Sequence, residues 1–208
     1  MGQGGRFGKY GEHKRFERLR RGKIKDFISA RKPSLKASRP YHQGRILEKP
    51  SQGLKLTLRK ADPRDLPFIV ELSEQVFSAY GPYHEIITRW ASFPHIITVV
   101  VQEKGKSRGF AMINPILNAQ NETKGELLAI AVSPQYQRRG IGKRLLGYME
   151  DLARTFGIEE MDIHTAVINE AAHRFFVKNG FIQRGSVDRY YPLGQKALEM
   201  SKTLSMIP

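Results

Sequence analysis

LLAIAVSPQYQRRGIGKRLLGYME, residues 127–150, is the stretch on which the reading of this chain turns. An apolar run at 127–132 has the character of a buried strand, and the pattern from 144 to 156 is helical, so Gln137, Arg138, Arg139, Gly140, Ile141, Gly142 and Lys143 fall on a strand-to-helix turn. The first N–H groups of a helix have no intrahelical partner, and the helix dipole adds partial positive charge there. An anion is favoured at such a point. Gly140 and Gly142 let the backbone close on phosphate oxygens, and Arg138, Arg139 and Lys143 add charge, so the turn reads as a pyrophosphate cradle.

Spacing excludes two familiar nucleotide patterns. A dinucleotide fingerprint needs Gly or Ala three residues after Gly142, where Leu145 stands. A P-loop needs Ser or Thr after its Lys, and Lys143 is followed by Arg144.

Composition narrows the rest. The chain has 208 residues, 40% of them hydrophobic, enough for one domain of ordinary size and an appendage. No apolar run approaches the length of a membrane span, so no membrane role is expected. The absence of cysteine excludes disulfides, thiolate metal sites and a cysteine nucleophile, and no metal is expected. Residues 1–10 lack the apolar core of a secretory signal, and Arg6 stands where myristoylation wants Ser or Thr; the expected location is cytoplasmic.

Charge divides the chain unevenly. Residues 1–52 carry 15 Lys and Arg against 4 Asp and Glu, and residues 53–208 carry 20 against 16. The basic character therefore belongs to an N-terminal extension, 1–52, rich in Gly and interrupted by Pro33, Pro40 and Pro50, ahead of a domain at 53–208. Within the extension only 12–28 has the pattern of a basic amphipathic helix, weakened by Gly22. Three readings of it stand: a solvated appendage, an anchor to ribosome, RNA or another acidic partner, and a transit peptide, the last disfavoured by its acids and few serines.

From Leu54 the pattern is that of a packed domain. Residues 54–61 alternate as a strand; Asp62 caps a helix with Pro63 at its first position, running toward Tyr80; 83–93 forms a second short helix. Strands at 96–102 and 109–113 make a hairpin around 103–108, and 125–132 is the fourth strand. A third helix spans 139–156, with Leu145, Leu146, Met149, Leu152 and Phe156 as its core stripe. A strand at 161–166, a helix at 170–179 and strands at 181–184 and 197–204 complete the order β-α-α-β-β-β-α-β-α-β-β.

Residues 127–150, together with NEAAHRFFVKNGF at 169–181, resemble the two signature segments of the GCN5-related N-acetyltransferases, closest in motif to the ribosomal-protein alanine N-acetyltransferases. The resemblance implies an α/β fold with a mixed sheet of about seven strands and four helices. It also implies acetyl-CoA as acyl donor and a primary amine as acceptor, foremost a protein or peptide N-terminal amine. A small amine of polyamine or aminoglycoside type is the alternative acceptor. An alternative of another class is a ribosome- or RNA-associated protein whose acyl-CoA domain is slow or regulatory.

The same resemblance assigns roles. Ile130, Ala131 and Val132 supply backbone groups of the fourth strand, at a bulge, to the carbonyl oxygen and the pantetheine amides. Asn169 contacts the cofactor, and Phe176 stands where relatives carry a Tyr general acid, so its ring packs on the cofactor without a proton to give. Glu126, 14 residues before Gly140, has the offset of a general-base glutamate, and the plainer reading is an exposed strand-end acid. His164, five residues before Asn169, stands where the alanine acetyltransferases have a catalytic Glu, and the plainer reading is a hydrogen-bonded strand residue. Tyr190 and Tyr191, before Pro192, match the segment that covers the substrate peptide and are substitute proton donors; the plainer reading is a core cap.

Overall fold

The computed structural model describes residues 55–117 and 123–204. The basic extension and its partner readings lie outside the described residues. The elements are β1 (Leu56–Lys60), α1 (Leu66–Phe77), α2 (Tyr83–Ala91), β2 (Ile97–Glu103), β3 (Lys106–Leu117), β4 (Thr123–Val132), α3 (Ile141–Thr155), β5 (Glu160–Ala166), α4 (Glu170–Lys178), β6 (Ile182–Val187) and β7 (Ala197–Thr203). Their order is the expected one, and they form a mixed seven-stranded sheet, β1-β2-β3-β4-β5-β7-β6, parallel only between β4 and β5.

Boundaries differ from the expected ones where local signals were weak. The β2–β3 hairpin closes through Lys104 and Gly105 alone, at φ 51° and 74°, rather than through a loop at 103–108, so β3 starts three residues earlier. Two positive φ values in a two-residue turn match the twist of the strands they join. A 3-10 turn at Pro63–Asp65 precedes α1, where Asp62 accepts from the Arg64 N–H and the Asp65 carboxylate from the Asp62 N–H. Arg59 adds a two-pronged pair to Asp65 at 2.6 and 2.9 Å, and this guanidinium holds the Asp65 carboxyl below its ordinary range.

Alternation of side chains across the sheet builds two cores. Val99, Val101, Ala111, Ile113 and Leu127 meet Leu145, Leu146 and Met149 of α3 on one face. Val100, Phe110 and Met112 meet Ile69 and Leu72 of α1 and Ile87 and Trp90 of α2 on the other. Leu152 and Phe156, expected in the α3 stripe, border the first core and are only partly buried; Ile141 and Ala153 complete the buried stripe. α1 and α2 cover the half of the sheet before β5, and the matching face of β5 and β7 carries polar side chains.

Candidate active site

β4 decides the shape of the site. Its parallel pairing with β5 runs from Lys124↔Glu160 to Leu127↔Ile163 and stops there, after which β4 stays with β3 while β5 stays with β7. A wedge opens between the two halves of the sheet. At its vertex Met112 pairs with Ala129 and Ile113 with Leu127, so Leu128 is an extra residue, and such a bulge bends the strand and increases its twist. The bulge thus lies at Leu128, two residues before the expected 130–132. Ile130, Ala131 and Val132 pair regularly with Ala111, Phe110 and Gly109, and their other edge borders the wedge.

Beyond β4 the chain makes the turn on which the sequence reading began. Gln137 ties it back to the strand through its amide, which donates to the Val132 carbonyl at 2.9 Å. Arg138 and Gly140 are both left-handed, at φ 63° and 79°, and Gly140 is the N-cap of α3, so the helix starts at Ile141 and not at 139. The N–H groups of Ile141, Gly142 and Lys143 form the free first turn of a 15-residue helix. Arg138, Arg139 and Lys143 are exposed around it, whereas the Ile141 side chain is buried and anchors the turn. Arg108 and Arg139 both lie over the Tyr136 ring, at 3.9 and 5.2 Å, which braces the same turn. This cationic set of aligned N–H groups fits a pyrophosphate, and the open β4 edge beside it fits the amides of a pantetheine arm.

The two other expected cofactor contacts also serve the fold. Asn169 caps α4, its side chain accepting from the Ala172 N–H at 3.0 Å. Phe176 is 2% exposed in the first core, edge-on to Phe175 and Phe181. Phe175 is the ring that approaches the turn, 3.6 Å from where a Cβ on Gly142 would sit.

The candidate proton-transfer groups gather on the opposite face of the sheet, at the vertex of the wedge. His164 is the first β5 residue beyond the parallel pairing, and its Nδ1 lies 3.7 Å from Glu126 Oε1. Glu126, with 15% of its side chain exposed, is not a surface strand-end acid. The two residues, each proposed from sequence as the base, form one unit. Tyr190 stacks on the imidazole at 4.4 Å and 13°. Tyr191 is buried among Tyr80 and Tyr83 and donates its hydroxyl to the His164 carbonyl at 3.4 Å, so of the pair Tyr190 faces the site and Tyr191 packs behind it.

Two further residues belong here that sequence reasoning missed. Glu199 of β7 pairs with His164 in register and places Oε1 3.5 Å from Nε2. Asp162 pairs with Glu126 across β4 and β5; burial, then the negative charge of Glu160, push its carboxyl up to about 6, against the opposing pull of Lys124. Period-2 alternation puts Asp162 and His164 on one face, a signal present in the sequence; that β7 rather than β6 lies beside β5 is not local information.

The β6–β7 loop closes over this face. Gln195 donates to the Ala79 carbonyl at 2.6 Å, Tyr191 packs on Tyr80 at 5.0 Å, and Pro192 sits on Gly81. Gly81 has φ 129°, and a Cβ there would lie 2.7 Å from Pro192, so both backbone and packing require glycine.

A wedge with a helix N-terminus at its mouth and an open strand edge beside it suits an acyl carrier that has a pyrophosphate and an amide-bearing arm. Residues 66–181 match the Acetyltransferase (GNAT) family, and the chain belongs to it: an N-acetyltransferase of the kind that uses acetyl-CoA. Among its relatives is the N-alpha-acetyltransferase RimI of Mycobacterium tuberculosis, 34% identical over 122 residues, 58% of this chain and 75% of that one. The [ribosomal protein bS18]-alanine N-acetyltransferase of Escherichia coli K12 is 24% identical over 153 residues, 72% of this chain and 99% of that one. A crystal structure of the Escherichia coli ribosomal-protein-S18-alanine N-acetyltransferase superposes with a TM-score of 0.63 at 25% identity, covering 74% of this chain and 96% of the other. The NatC complex bound to Gag peptide and CoA has the same fold, with a TM-score of 0.61 at 20% identity over 72% of this chain and 99% of that one. Among the described residues no helix is long and apolar enough to cross a membrane, and no group of His, Asp and Glu is arranged to hold a metal.

Proposed function

We propose that the chain acetylates the α-amine of a protein or peptide N-terminus. The observation that carries this reading is the strap from the β6–β7 loop to the α1–α2 turn, which crosses the face of the sheet where Glu126, His164 and Tyr190 gather. Tyr190 and Tyr191 of that strap supply rigid amphipathic contact area of the kind that suits a peptide backbone. The names of the relatives, N-alpha-acetyltransferase among them, support the same acceptor.

Bound acetyl-CoA supplies an activated acetyl thioester. The protein's own part is to hold its pyrophosphate on the N–H groups of Ile141, Gly142 and Lys143, with Arg138 and Arg139 beside them. The free edge at Leu128, Ile130, Ala131 and Val132 aligns the pantetheine arm and directs N–H donors to the carbonyl oxygen. The Glu126–His164 unit takes a proton from the acceptor ammonium. An α-amino group titrates at about 7.7 to 8.0 and a lysine at about 10.4, so freeing the amine at neutral pH costs about 1 kcal/mol for the first and about 4.6 for the second. An imidazole beside a carboxylate suffices for the first. Tyr190, stacked on His164, is the hydroxyl we assign to return a proton to the leaving sulfur.

The test is CoA thiol release with a panel of N-terminal peptides, polyamines and aminoglycosides. Turnover of peptides is expected, blocked by prior acetylation of the α-amine but not of lysine side chains. Turnover confined to non-peptide amines overturns the reading. For residues 1–52 the proposal is a salt-dependent association with ribosomes or RNA; association that survives their deletion overturns it.

A further inference from the structure

We infer that Glu199 is a positioning residue of this site: it stands at the Nε2 edge of the His164 imidazole, the edge turned away from the buried Nδ1, and holds the ring and its charge for the acceptor amine. The inference rests on the reading of His164 as proton acceptor. β5 and β7 are antiparallel, and His164 and Glu199 are direct partners in the register, so their side chains rise side by side on the open face of the sheet. Glu199 Oε1 lies 3.5 Å from Nε2, while the other ring nitrogen faces Glu126 at 3.7 Å. The imidazole therefore spans two carboxylates of unequal exposure, 15% for Glu126 and 46% for Glu199. Tyr190, parallel to the ring at 4.4 Å, restrains its tilt.

Space for the Glu199 carboxylate comes from the next strand. β6 slips register against β7 between Gln183 and Gly185, and a Cβ on Gly185 would lie 2.8 Å from Glu199 Oε2. Any larger residue at 185 pushes the carboxylate from its place.

The proton bookkeeping follows from the geometry. Nδ1 is buried against the less exposed carboxylate, Glu126, which keeps the hydrogen of the neutral imidazole on that nitrogen and leaves the Nε2 lone pair on the Glu199 side. One N–H bond of the acceptor ammonium breaks and one Nε2–H bond forms, so the amine becomes neutral and the positive charge moves onto the ring. Glu199 then offsets that charge at the solvent side, where the proton is lost. The titratable groups facing the ring are Glu126 from β4, Asp162 from its own strand, Glu199 from β7, and Tyr190 and Tyr191 from the β6–β7 loop; Arg184 of β6 is turned to Ser201.

Glu199→Gln keeps the size and removes the charge; Gly185→Ala keeps the charge and displaces it. The experiment is an NMR titration of the His164 ring in the full chain, beside the pH profile of kcat/KM on an N-terminal peptide. Glu199→Gln is expected to move both the ring midpoint and the acid limb of the profile down by about half to one pH unit, the exposed carboxylate being partly screened. Gly185→Ala is expected to move both in the same direction by less, with KM for acetyl-CoA unchanged in either variant. Ring midpoints that coincide with wild type in both variants overturn the positioning role. A ring midpoint that moves while the rate profile stays fixed overturns the reading of His164 as acceptor, and the inference with it.

Discussion

Removing Glu126 and His164 singly and together probes the site at its vertex. The reaction needs an uncharged amine, and for an α-amino group the cost of deprotonation at pH 7 is about 1.0 to 1.4 kcal/mol, a factor of about five to ten. Loss of the proton acceptor should thus slow kcat/KM on an N-terminal peptide by about five- to tenfold at pH 7, and the defect should fade by about pH 9, where solvent has already freed the amine. Because the two side chains are 3.7 Å apart, they act as one unit. Glu126→Gln/His164→Gln should therefore lose little more than the worse single variant, a coupling on the order of 1 kcal/mol. The assay is CoA thiol release across that pH range for wild type, both single variants and the double. Losses that multiply in the double variant and persist at high pH would refute a shared role. A lysine-bearing acceptor would behave differently, since its deprotonation deficit of about 4.6 kcal/mol at pH 7 would leave a large defect even at pH 9.

Other perturbations test the frame around the vertex. Asp162 is an acid whose carboxyl the fold raises to about 6 from 3.8, so the native state holds a proton that the unfolded chain releases between those values, and the benefit is lost as pH rises through 6. Asp162→Asn should match wild type near pH 4 and exceed it at pH 8 by about 1–2 kcal/mol, discounted for partial exposure, and thermal melts showing an equal offset at both pH values would contradict this. Gly81→Ala forces a side chain into a conformation close to glycine-only and against Pro192, so it should cost at least about 2 kcal/mol and raise KM for peptide while leaving KM for acetyl-CoA alone; melts and steady-state kinetics decide. Arg138→Ala combined with Lys143→Ala should raise KM for acetyl-CoA about tenfold, and the difference from wild type should shrink in high salt.

The turn read as the donor cradle was legible in the sequence as a structural unit because it is local. A strand, a short turn and a helix N-terminus occupy consecutive residues, and the glycines, cations and periodicity that make them are read along one stretch. Even there the helix begins at Ile141, because Gly140 takes a left-handed conformation that places it outside the helix as its cap. The element order was legible for the same reason, and the errors fall where side chains do not alternate cleanly: Lys106, Ser107 and Arg108 read as loop but extend β3. The bulge at Leu128 is a property of how β4 pairs with β3, and no residue type marks it. The half proposed for the acceptor is assembled from β4, β5, β7 and the loop before β7, so its members appear in sequence as isolated polar residues. Read one at a time, Glu126 and His164 compete for a single role, and Glu199 has none. Placed on adjacent strands of one sheet, they become a carboxylate, an imidazole and a carboxylate in line, and the question of which residue is the base becomes the question of where one proton rests among three groups.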